Sequence, residues 1–203
     1  IEFSVYDLKS KQIIKKIALG HPEIKFLYKF EENLTHVYKK ENFNNEGFKY
    51  RILEVFQDDF FSNSLLVENK IQSDLGDIKL RGFISIPSYN KVNQSYQFLF
   101  VNGRPVQDRG LSTVIRLSYR DTLPRGRHPL YCLMLDLSND QIDVNVHPTK
   151  TEIKFEDEKS IYAIIRSSVR HSLGKFNIMP NIDFSNNVNL SNLSLNEKIN
   201  PPS

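Results

Sequence analysis

A chain of 203 residues with 39% hydrophobic and 25% charged side chains has the makeup of an ordinary soluble globular protein, long enough for one well-cored domain plus a tail. No apolar run approaches the length needed to cross a bilayer, and a net charge of +3 is too small to mark a partner until it is located. The single cysteine, Cys132, excludes an internal disulfide, and with the five histidines it shows no zinc-ligand spacing, so no metal site is expected.

The sequence has no initiating methionine and no charged-then-apolar leader, and it reads as a piece of a longer protein. Residues 1–19 carry apolar side chains at helical spacing (Ile1, Val5, Leu8, Ile13 or Ile14, Ile17), with Gly20 and His21-Pro22 as the stop. Ile24, Phe26, Tyr28 and Phe30 then alternate, and LTHVYKK continues as a partner strand. After the polar stretch ENFNNEG, Ile52, Val55, Phe56 and Phe60 predict a short helix. Two strands follow, SLLVENKIQ and DIKLRGFISIP, the second with Ile78, Leu80, Ile84 and Ile86 on one face and Pro87 at its end. YQFLFV runs into Asn102-Gly103, a turn pair tolerant of positive φ. Asp108 suits an N-cap for a helix reaching about Leu123. LYCLMLDL, in which Cys132 reads as a small buried thiol, and QIDVNVHP are strands joined near Ser138-Asn139-Asp140. A last helix starts near Asp157, buries Ile161, Ile164, Ile165 and Ser168, and stops at Gly174. The final 23 residues hold seven asparagines and four serines, the composition of a flexible linker.

Two features carry chemistry. Between Val101 and Leu130 six arginines (Arg104, Arg109, Arg116, Arg120, Arg125, Arg127) face two aspartates, a local +4 that leaves the remaining chain near −1. At about 100° per residue Arg116 and Arg120 return to within about 20° of Arg109, while Leu111, Val114, Ile115 and Ser118 lie opposite. Such a stripe is either the solvated face of an amphipathic helix or a phosphate-contacting one. An all-arginine stripe suits phosphate oxygens, and without a base-reading pattern it predicts salt-sensitive, sequence-tolerant backbone binding. The second feature is the strand DVNVHP, which Pro148 must end. Lys150 follows two residues later, on a short rigid loop at a sheet edge. A bare lysine is usually a solvated charge, but this placement suits one that must reach a specific anion.

The strings FLFVNGRPVQDR and DVNVHPTKTEIKF, in this order and with a helix and strand between them, resemble the signature of the MutL family of DNA mismatch repair proteins. The resemblance covers residues 1–176 and is clearest from Gln97 onward. It implies an α+β fold: the ribosomal-protein-like, left-handed βαβ transducer domain of GHKL ATPases, a mixed and mainly antiparallel sheet covered by helices. Residues 1–20 would be a helix at the junction with an ATP-binding lobe, 21–176 the transducer domain, and 177–203 a disordered linker. It further implies that Lys150 contacts the γ-phosphate of ATP, with Asn145, His147 and Pro148 shaping its loop, and that Arg109 binds DNA with its basic neighbours, although Gln107 stands where the family often has another basic residue.

ATP and Mg would be bound mainly by the lobe, since no nucleotide-binding motif can be drawn here: Glu41 and Asn45 have an E-x-x-x-N spacing but sit in a polar loop, and Asp74-Leu75-Gly76 lacks the second glycine. The chain would therefore not hydrolyse ATP alone. Implied partners are DNA, the ATP-binding lobe, a second MutL-like chain in a homo- or heterodimer, and the mismatch-recognition protein MutS, inside the cell and with no membrane. The alternatives are a transducer domain of a type II topoisomerase and a stand-alone nucleic-acid-binding module.

Overall fold

The structure is a computed structural model that describes residues 2–5, 8–30, 34–42, 45–56, 59–73, 76–143 and 153–178. It opens with strand β1 (Glu2–Val5), helix α1 (Leu8–Gly20) and the antiparallel pair β2 (Phe26–Phe30) and β3 (Leu34–Tyr38). Helices α2 (Asn45–Phe56) and α3 (Asp59–Ser62) lead into the hairpin β4 (Ser64–Ser73) and β5 (Gly76–Ser85). Next come β6 (Asn90–Lys91), β7 (Gln97–Val101), β8 (Arg104–Val106) and helix α4 (Arg109–Ser118). The last elements are β9 (His128–Pro129), β10 (Tyr131–Asp136), β11 (Ile142–Asp143), β12 (Lys154–Phe155) and the long helix α5 (Glu158–Ile178).

The central sheet has the order β4-β5-β10-β7-β8. Its pairings are antiparallel except β7 with β10, which run parallel with α4 in the crossover between them. This is an α+β domain built around a β-α-β unit. Helices cover both faces, so β10 is buried on both sides and reads as an apolar run without alternation. Tyr131, Leu133 and Leu135 join one core with Leu111, Ile115, Ile161 and Ile165. Leu130, Cys132 and Met134 join another with Leu19, Ile52, Phe56 and Phe60.

The largest fully buried side chain among the described residues is a charged one in that second region. Arg51 is fully buried and donates to five backbone carbonyls, those of Ala18, His21, Pro22, Ile24 and Lys39, while its Nε donates to Glu54. A guanidinium has five N–H donors in a fixed plane; with an Nη2 hydrogen shared between two carbonyls, one side chain satisfies the end of α1, the loop beyond it and the exit of β3.

Several expectations change. Residues 2–5 form a strand parallel to β2, not the start of a helix. Helix α2 begins at Asn45, inside the polar stretch. Helix α4 ends at Ser118 rather than near Leu123, because Tyr119 is drawn into the core, where its hydroxyl donates 2.7 Å to the Ser85 carbonyl, and Arg120 turns the backbone to φ +50°. Helix α5 runs through Gly174 to Ile178; a glycine there meets nothing and needs no unusual φ. Asn145, His147, Pro148 and Lys150 lie outside the described residues, as does the tail from 179.

Candidate phosphate-binding groove at the start of helix α4

Asp108 is extended (φ −116°, ψ 125°) and its carboxylate accepts from the Leu111 amide at 2.7 Å, so the N-cap expected there is present. The cap fixes Arg109 as the first helical residue. A cation at that position opposes the helix dipole and contributes nothing to helix stability. Its guanidinium is exposed, and among the described residues it has no ion pair or hydrogen bond. The geometry leaves it available to an anion.

The first turn of α4 borders an open groove of about 1170 Å³. Gln12 and Lys16 of α1, Gln97 with its preceding loop, and Lys154 and Glu158 also line it. Burial lowers the pKa of the Lys16 ammonium from its usual value. Three cations, Lys16, Arg109 and Lys154, thus share the groove with Asp108 and Glu158, and Asp108 is already engaged as the cap. Lys16 and Lys154 carry no local sequence signal; only folding brings α1 and β12 to this wall. Among the described residues no group of three His, Cys, Asp or Glu could hold a metal ion.

At the opposite end of the same elements, Asn102 and Gly103 have φ +47° and +76°, as a tight β7–β8 turn requires. The Asn102 side chain does more than tolerate the turn. Its Oδ1 accepts from the Leu137 amide at 2.9 Å, while its Nδ2 donates to the Leu137 carbonyl at 2.8 Å and to Asn139 at 3.1 Å. The turn is thereby clipped to the chain that leads into β11, the strand immediately before residues 144–152.

The six arginines of the basic window do not form one patch. Arg109 faces the groove, and Arg116 is exposed further along α4. Arg104 is exposed on the edge strand β8. Arg125 and Arg127 are exposed in a turn closed by the Arg127 amide on the Pro124 carbonyl at 3.1 Å, with Gly126 at φ +71°. Arg120 leaves the α4 stripe because its backbone is left-handed, and it lies instead near Arg166 and Arg170 of α5. Those two residues were not singled out by sequence, since they sit some forty positions beyond the basic window. Burial, then Arg120 and Arg166, lower the pKa of the Arg170 guanidinium.

The family model described as "DNA mismatch repair protein, C-terminal domain" matches residues 52–174, which hold both signature strings, the groove residues from Gln94 to Glu158 and α5 as far as Gly174. This chain belongs to the MutL family of DNA mismatch repair proteins. The MutL of Flavobacterium johnsoniae is 38% identical over 176 residues, 87% of this chain and 26% of that protein. The MutL of Rickettsia felis is 36% identical over 162 residues, 79% of this chain and again 26% of the relative. The chain therefore spans about a quarter of the length of these curated MutL relatives. Among solved structures, a crystal structure of the N-terminal domain of a DNA repair protein shares its fold, with a TM-score of 0.68 at 22% identity over 84% of this chain and 54% of that one. Among the described residues of this MutL-family chain, no helix is long and apolar enough to cross a membrane.

Proposed function

We propose that this chain is the part of a MutL-type mismatch repair ATPase through which bound nucleotide and bound DNA act on one another. The observation that carries this reading is the groove itself. It joins Arg109, an unpaired cation at a helix start, to Lys154, four residues after Lys150 on the segment that follows the H-P-x-K string. Arg109 offers a planar fork to a backbone phosphate, and the first-turn amides of α4 add partial positive charge at the same point. Contacts of this kind position DNA without reading its sequence.

Lys150 would supply one ammonium to the γ-phosphate of an ATP that, with its Mg, is held mainly by a lobe outside this chain. Bound there, ATP supplies the phosphoryl group that is transferred to water. The role of Lys150 is to stabilise the charge that develops and to register whether the γ-phosphate is present. Loss of that phosphate would release the lysine and with it the closed arrangement of a MutL dimer, a change that MutS and downstream factors would read.

The test uses the intact protein. Lys150→Ala should lower ATP turnover by roughly 10²-fold, the scale of one lost electrostatic donor. Arg109→Gln should leave DNA-independent turnover intact and reduce the slope of log affinity against log salt by about 0.9, one phosphate's worth. Unchanged turnover in the first variant leaves only a DNA-binding module, and an unchanged slope in the second removes the groove from the account.

A further inference from the structure

Helices α4 and α5 pack side by side and run the same way. At one end the Tyr162 side chain lies over Gly110; at the other the charges of Arg120 and Arg166 both act on Arg170. Arg166 and Arg170 are four apart on α5, a spacing that brings their side chains within about 6 Å at Cβ. Arg120 and Arg166 are exposed, and the Nε of Arg170 is closed off from solvent with no hydrogen-bond partner among the described residues. None of the three has an ion pair among the described residues. Arg120 also holds φ +50°, a conformation that glycine or asparagine adopts more readily at the end of a helix. An arginine is thus kept where its backbone is disfavoured, next to two others that repel it. One cation would be enough to answer the carbonyls at the end of α4; three need an anion.

We propose that Arg120, Arg166 and Arg170 form a second phosphate clamp, on the outer face of the α4–α5 pair, that grips the DNA backbone away from the groove. It rests on the reading of Arg109 as a DNA contact and extends it. Arg120 stands two residues past the end of α4 and eleven after Arg109, about 16 Å from it at 1.5 Å per residue. At 3.4 Å per base-pair step the clamp would meet a phosphate about five steps from the one at Arg109. Forked guanidiniums rather than ammoniums at all three positions favour phosphate.

The measurement is DNA binding by the full-length protein, followed by fluorescence anisotropy on a 30-base-pair duplex from about 50 to 200 mM KCl. Replacing Arg166 and Arg170 together (R166Q, R170Q) should weaken binding roughly three- to tenfold at every sequence and reduce the salt slope by about one. The pair R166K, R170K should recover only part of the loss, because charge returns without the fork. If R166Q/R170Q matches the parent in affinity and slope while Arg109→Gln weakens binding, the clamp is overturned and the groove stands. If Arg109→Gln is also silent, the DNA reading of the groove falls with it. Retained DNA affinity with loss of polyglutamate binding also overturns the clamp and makes the face a protein-docking one. Should inorganic phosphate at equal ionic strength protect the parent from thermal unfolding but leave DNA binding unchanged in the variant, the occupant is a free ion and the proposal fails. If the double substitution unfolds the protein, exposed Arg166→Gln alone gives the same readout at reduced size.

Discussion

Substituting alanine for Gly110 tests how closely α4 lies against α5, and so how firmly Arg109 is placed. A methyl carbon on Gly110 would stand 2.2 Å from the Tyr162 hydroxyl oxygen, 2.8 Å from its Cζ and 3.1 Å from Asp108 Oδ1. All three distances are shorter than the contact separation of about 3.5–4.0 Å between carbon atoms. The carboxylate cannot retreat without releasing the Leu111 amide, and the half-buried Tyr162 ring must swing aside to make room. Overpacking of this kind costs about 1–3 kcal/mol, while alanine's better helix propensity returns up to about 1 kcal/mol. The net loss is about 1–2 kcal/mol, a fall of roughly 2–8 °C in the unfolding midpoint for a domain of this size. Tyr162→Phe deletes the nearest atom, so the double variant should recover part of the loss, with a coupling of about 0.5–1 kcal/mol in a double-mutant cycle read by thermal and urea unfolding. A Gly110→Ala protein that melts higher than the parent, or effects that simply add, would refute the close approach and the placement of Arg109 that depends on it.

Arg51→Met should destabilise the protein by about 3–5 kcal/mol in urea unfolding, since it strips donors from five carbonyls at once, and Arg51→Lys should rescue little because three N–H groups cannot replace a planar five. A cost below about 1 kcal/mol for Arg51→Met would show that water reaches those carbonyls. Asp157 is held below the usual carboxylate range because the Ser160 hydroxyl and amide both donate to it. With the folded value below the unfolded one, its contribution is complete above about pH 3.9 and fades as pH falls through the folded value. Asp157→Asn still accepts from Ser160, so it should flatten that acid limb of the stability profile and change little near neutrality; an identical acid limb in both proteins would rule the cap out as its source.

Most of the fold was readable where a local rule and the tertiary environment agree. Alternation placed β2 and β5, β3 and β4 were read as strands beside them, and the carboxylates of Asp108 and Asp157 marked the starts of α4 and α5. The failures share a cause. Strand β1 is four residues long and paired in parallel with β2, so its apolar spacing could not distinguish it from a helix. The end of α4 is set by the reach of Tyr119 to Ser85, thirty-four positions away, which no helical wheel contains. Arg109 was found because a family string and an N-cap signal coincide at it. Lys16, Lys154, Arg166 and Arg170 were not, because each acquires its meaning from a neighbour on another element. Asn102 was legible as a turn residue but not as the clip on Leu137.

The buried guanidinium of Arg51 also governs how this part of the molecule comes apart. Unwinding the last turn of α1, peeling back the loop at His21 to Ile24, or freeing the exit of β3 would each strand the same charge in an apolar interior. Small, separate openings are therefore penalised alike. The amides of residues 18–21, 23, 24 and 39 should exchange with solvent together, as a single cooperative block, rather than fray one after another from the chain's first helix inward.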